Sequence, residues 1–144
     1  MAIDIKTVKN LLEYLEGEIR EIERSDITRE LLDEKSNLIL TDATKYRVQV
    51  AIEACINIAE HIVAGLSLGK PEFARELFPL LAKEKIISEE LAEKLGKAVG
   101  LRNVLVHMYI EVDLAILSYA ATVGLNDLRA FAKAINEFLE KQRS

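Results

Sequence analysis

Ile5, Val8, Leu12, Leu15, Ile19 and Ile22 recur at alternating spacings of three and four. That is one apolar seam on a helix, with Glu13, Glu16, Glu18, Arg20, Glu21 and Glu23 mostly on its other sides. The pattern predicts a helix from about Asp4 to Arg24, broken by Ser25-Asp26. A further helical stretch should begin near Thr28, and by Thr41 a long segment is under way that reaches about Leu66. Gly65 and Gly69-Lys70-Pro71 are expected to end it, since glycine suits a C-terminal cap and proline cannot continue a helix. Pro71 opens a shorter unit carrying Phe73, Leu77, Phe78, Leu80 and Leu81, which Pro79 should kink or split. Ser88 offers an N-cap, with Glu89 and Glu90 in the positive first turn, to a helix reaching about Tyr109. Asp113 caps the next segment and Gly124 interrupts it; Asn126 or Asp127 then restarts a seam of Leu128, Phe131, Ile135 and Phe138. No strand-period stretch longer than a few residues interrupts this pattern. The expectation is an all-α antiparallel bundle of about five to six helices, a single helical domain over residues 1–144.

The long segment is apolar nearly all round, which marks a central, buried helix. Its exceptions form a stripe: Asp42, Gln49, Glu53 and Glu60 fall within about 40° of one another, with Tyr46 and Asn57 beside them. Two readings fit. The stripe is the wet side of the helix, or it is the wall of a cleft in which Glu53 and Asn57 orient something cationic. A carboxylate on a central helix is costly unless paired, so the second reading calls for an arginine from elsewhere, and Arg102 is the one expected to reach Glu53.

Composition narrows the classes. The 144 residues are half apolar and 30% charged, with six glycines and two prolines, which excludes a disordered or low-complexity chain. The longest uncharged stretch, Leu114 to Asn126, is 13 residues, short of the ~20 that span a bilayer. Charges fall where an export signal would need its apolar run. With Cys55 the lone cysteine, neither an intrachain disulfide nor a thiolate zinc site is expected. The expectation is a reduced, cytoplasmic protein. A net charge of −5 and arginines scattered without a basic run argue against a phosphate-binding stripe along a duplex.

Most candidate chemistry is weak. His61 and His107 lack the Glu-x-x-His or His-Glu-x-x-His spacing of a metal site, and His61 reads as a satisfied structural histidine. Cys55 has no cationic neighbour in sequence and reads as a packed core thiol. Ser118 and Thr122 have no triad partners, and Gly96 to Gly100 lacks the spacing of a phosphate loop. No cofactor and no metal are expected.

One stretch does not look like packing. From Gly100 to Tyr109, an otherwise apolar helix end carries Arg102, Asn103, His107 and Tyr109. On a continuous helix Asn103 and His107 share a face, whereas Arg102 and His107 diverge by about 140°. Arg102 and His107 converge only if the helix unwinds near its end, or if a second copy supplies the other half of a site. The bland alternative is that both cations favour the negative end of the helix dipole.

Arg102-Asn103, His107 and Tyr109 resemble the Arg-x4-His-x-Tyr signature of HEPN-domain ribonuclease toxins of the HepT type. The run from Gln49 to Ile62 is similar to that family's long second helix, and Ile87 to Ala92 and Val112-Asp113 fit the flanks of its motif helix. The likeness covers most of the chain from about Thr41 onward; Pro79 and the Gly124 interruption are less typical. The resemblance implies a homodimeric, metal-independent endoribonuclease toxin with Arg102 and His107 as catalytic residues at a shared cleft. Asn103, Glu53 and Asn57 would support them. It also implies a nucleotidyltransferase antitoxin of the MntA type, which silences the toxin by AMPylating Tyr109, and a single-stranded RNA substrate. The rival reading is a non-catalytic helical partner subunit, or nucleotide-binding accessory, of such a nucleotidyltransferase.

Overall fold

Asp4 opens the first helix: its carboxylate accepts the Thr7 N–H at 3.1 Å and the Thr7 hydroxyl at 2.8 Å. The computed structural model describes residues 3–107 and 110–143. Helix α1 (Ile5–Arg24) buries Val8, Leu12, Leu15, Ile19 and Ile22, the seam its spacing predicts. It stops where Asp26 turns into the left-handed region at φ 49°.

The helix expected near Thr28 is only a 3-10 turn, Arg29–Leu31. Asp33 explains the shortfall, because its carboxylate takes the N–H groups of Lys35 and Ser36 at 2.7 and 2.9 Å. Such a local side-chain turn competes with helix propagation. The turn is strapped down by Thr41, whose hydroxyl accepts the Asp33 N–H and donates to the Asp33 carbonyl.

Helix α2 (Leu38–Gly65) runs for 28 residues and buries Val48, Ala51, Ile52, Ala54, Cys55, Ile56, Ile58, Ala59, Ile62 and Val63. Gly65 is its last residue rather than its cap. Ser67 takes the left-handed position at φ 55°, and the Leu68 N–H reaches back to the Val63 carbonyl. By length and composition α2 is long and apolar enough to cross a membrane, so the shortness of the uncharged runs was no bar to a span. In the fold, 56% of its most apolar window is buried, in the manner of a core helix.

Pro79 does not break the next helix. A 3-10 turn, Ala74–Glu76, delays the start of α3 (Leu77–Lys83), which puts Pro79 in its first turn where a missing N–H costs nothing. Helix α4 (Glu89–Leu105) is capped by Ser88, whose hydroxyl accepts the Leu91 N–H at 3.0 Å. Asp113 caps α5 (Leu114–Ala120), and α6 (Leu125–Arg143) begins one residue after Gly124. A Cβ on Gly124 would sit 3.0 Å from the Ala120 Cα, so this sharp corner between α5 and α6 admits only glycine without a backbone shift.

Two ion pairs fix how the helices lie. Glu18 of α1, almost fully buried, accepts from the Arg47 guanidinium of α2 at 3.0 and 3.2 Å. Arg129 of α6 pairs with Glu23 near the end of α1, while Glu16 and Arg20 border Asn136 and Lys133 further along, so α6 runs back antiparallel to α1. Phe78 and Phe131 meet edge to face in the core, ring centroids 5.8 Å apart, joining α3 to α6. The fold is all-α; among the described residues the sole β-type pairing is an isolated bridge between Asp33 and Asn37.

Candidate active site

Glu53 sits midway along the polar stripe of α2, and α4 packs beside it. That places the Arg102 guanidinium 3.8 Å from the Glu53 carboxylate, with both side chains only partly exposed. The separation is an ion pair rather than the hydrogen bond expected from sequence. Gln49, one turn earlier, donates its amide to the same Glu53 oxygen at 3.4 Å. Arg102 Nε is buried and has no hydrogen-bond partner among the described residues. The guanidinium is therefore held by charge along one edge while one of its donors stays unsatisfied. The stripe behaves as both expected readings at once: Asp42, Asn57 and Glu60 are exposed, whereas Gln49 and Glu53 are half-buried against α4.

Sequence periodicity carried α4 to Tyr109, but the helix ends at Leu105. The Val106 N–H closes onto the Arg102 carbonyl at 3.0 Å, and the His107 N–H turns back to Val104 at 3.1 Å. His107 therefore lies beyond the helix, exposed, and the helical-phase argument that kept it about 140° from Arg102 no longer applies. The same ending removes the shared face expected for Asn103 and His107. Asn103, exposed on the last turn of α4, and Asn57, exposed one turn beyond Glu53, flank the pair. Tyr109 lies outside the described residues.

The other candidates fall away. His61 is exposed on α2, within electrostatic range of Asp4. Cys55 is buried at 1% exposure, and burial pushes its thiol far above the usual range, which suits a core residue. Among the described residues no group of three or more His, Cys, Asp or Glu side chains converges to hold a metal ion.

Two features escaped the sequence reading. Glu18, grouped by the pattern with acids that lie mostly off the seam, continues the three-and-four spacing of Leu15 and Ile22 and is buried against Arg47. An apolar groove of about 340 Å³ also runs beside the candidate site, lined by Val48, Ile52, Lys97, Leu101, Ile116 and Tyr119. Ile52 and Leu101 are the chain neighbours of Glu53 and Arg102, so groove and ion pair share their backbone supports.

The model of the Ribonuclease HepT-like family matches residues 11–135, which takes in the stripe, the groove and the motif. The chain belongs to that family. It is 39% identical over 101 residues to the mRNA nuclease HepT of Shewanella oneidensis, covering 70% of this chain and 76% of that protein. It is 33% identical over 96 residues to the tRNA nuclease HepT of Aphanizomenon flos-aquae, covering 67% of this chain and 65% of the relative. In solved structures it is similar to the tri-AMPylated Shewanella oneidensis HEPN toxin in complex with MNT antitoxin. That likeness has a TM-score of 0.80 and 33% identity, over 93% of this chain and 98% of the other. The helical bundle is thus the HEPN fold, and the HepT-like assignment extends into the first helix, beyond the span suggested by the sequence resemblance.

Proposed function

We propose that this chain is a metal-independent endoribonuclease toxin, with Arg102 and His107 working at a cleft between two copies. The observation that carries the reading is the Glu53–Arg102 ion pair beside a helix end that releases His107 toward solvent. Membership of the HepT-like family and the nuclease names of two relatives support it.

RNA carries its own nucleophile, so the protein need supply only proton transfer and positive charge. A neutral His107 imidazole takes the proton of a 2′-hydroxyl, and that oxygen attacks the adjacent phosphorus. The P–O5′ bond breaks, leaving a 2′,3′-cyclic phosphate. The departing 5′-oxygen takes a proton from the imidazolium of His107 in the second copy. An unperturbed imidazole pKa of ~6.5 lets one residue type serve as base and acid near neutrality. Arg102 offers a permanent planar fork to the charge building on the phosphorane oxygens, with Glu53 and Gln49 behind it to set its angle. Asn103 and Asn57 line the approach. A homodimer is supported by the groove and by exposed Ile116, Tyr119 and Val123, which together leave much apolar surface in water for so small a bundle.

The partner that follows is an MntA-type nucleotidyltransferase antitoxin, because a similar toxin carries AMP groups and is bound to an MNT antitoxin. Attack by the Tyr109 hydroxyl on the α-phosphorus of ATP, with pyrophosphate leaving, would put a bulky anion where RNA must enter and so silence the site. RNA cleavage by purified protein, lost in His107→Ala without loss of fold, tests the nuclease reading. A non-catalytic partner subunit would give no cleavage in either protein.

A further inference from the structure

The stripe on α2 continues past the ion pair. Tyr46, Gln49, Glu53 and Asn57 follow one another along one face of α2 at spacings of three and four. Helix α4 flanks this face through Arg102. Helix α1 flanks it through Glu18, which grips Arg47. Tyr14 lies one turn before Glu18 on the same side of α1. Tyr46 directly precedes Arg47 on α2, so the Glu18–Arg47 contact at 3.0 Å brings the stretches carrying the two tyrosines together. Both side chains are well exposed: Tyr14 is 50% exposed and Tyr46 is 58% exposed.

Two exposed aromatic rings beside a charged site offer stacking faces, and the charge of the chain gives such faces a use. With a net charge of −5, and with Arg47 and Arg102 each paired to a carboxylate, this face offers little positive charge to the phosphates of a strand. Base stacking on aromatic faces does not depend on net charge and tolerates any sequence. We propose that Tyr14 and Tyr46 form a base-stacking platform that holds the single-stranded RNA running to Arg102, with Arg47 fixed beside them by Glu18. The proposal rests on the nuclease reading above and goes beyond it, since it names what grips the substrate away from the bond that breaks.

The probe is a fluorescein-labelled single-stranded 2′-O-methyl oligoribonucleotide of mixed sequence, which has no free 2′-hydroxyl and cannot be cleaved. Its binding to the full chain is followed by anisotropy across a salt series, alongside steady-state cleavage of the unmodified RNA. Tyr14→Ala and Tyr46→Ala should each weaken binding by roughly five- to 150-fold, the range of one lost stack. The loss should appear in KM rather than in kcat. Tyr46→Phe and Tyr46→Trp should bind like wild type, because the ring and not the hydroxyl is used, and the salt dependence should be shallow. Alanine variants that bind and cleave with unchanged KM overturn the platform while leaving the nuclease reading intact. Phenylalanine as poor as alanine overturns it too. If the alanine variants instead dissociate to monomers in sedimentation, the face is an interface between copies and the platform is wrong. A wild type that neither binds nor cleaves RNA overturns both readings.

Discussion

Glu53 of α2 and Arg102 of α4 oppose each other at 3.8 Å, and Gln49 holds the same carboxylate oxygen from one turn away. Arg102 Nε is buried without a hydrogen-bond partner among the described residues, so the charge of Glu53 is the restraint they place on the guanidinium. Glu53→Gln should keep the fold, because the amide preserves shape, and should lower RNA cleavage by about ten- to a hundredfold as the arginine loses its aim. Arg102→Lys should not restore activity, since an ammonium cannot reproduce the planar fork. An unchanged kcat/KM in Glu53→Gln, with circular dichroism matching wild type, would remove the carboxylate from the mechanism.

Histidine and arginine suffice for the chemistry proposed here. Cleavage by clean protein should persist in excess EDTA, and adding magnesium or manganese should not raise it. Loss in EDTA and recovery with either ion would replace the histidine mechanism with a metal one.

The groove beside the ion pair and the exposed ring of Tyr119 predict a homodimer at micromolar concentration. Sedimentation velocity reads this directly. A monomer, or a dimer that places the two Arg102/His107 sets on outer faces, would contradict the shared cleft.

Cys55 is packed at 1% exposure and its thiol is pushed up by burial, so almost none of it is thiolate at neutral pH. Iodoacetamide should leave the folded protein unmodified for hours and alkylate it promptly in denaturant. Because the thiol is almost wholly neutral in the folded and unfolded chain alike below about pH 7, Cys55 contributes no pH dependence to stability there. Its raised folded-state pKa lowers stability only as the pH rises through the unfolded value. Fast labelling of the native protein would mean that α2 opens locally.

Gly124 turns the corner from α5 into α6, and an added Cβ would press on the Ala120 Cα at 3.0 Å and on two carbonyl oxygens at 3.2 Å. Neither can move without the helix end. Gly124→Ala should therefore destabilise by about 1–3 kcal/mol in urea titration, the usual cost of overpacking. A shift under half a kcal/mol would show that the corner relaxes freely.

Helix content, the two apolar seams, the Ser88 and Asp113 caps and the Arg-Asn-His-Tyr set were all legible along the chain, because each depends on residues within a turn or two of one another. The pairing of Glu53 with Arg102 could be anticipated as a need, since a carboxylate on a central helix requires a cation. Its geometry could not, because it depends on how α4 leans on α2. Glu18 shows the same limit from the other side: periodicity alone cannot say that a buried acid is tolerable until Arg47 arrives from 29 positions away. The end of α4 at Leu105 also belonged to tertiary structure. The apolar pattern runs on toward Tyr109, whereas the helix closes at Leu105, and that ending takes His107 out of the helical phase of Arg102. Local sequence determined most of the helices and singled out the candidate side chains; long-range packing decided which of those side chains meet, since the free energy of a contact between helices is not encoded in either helix by itself.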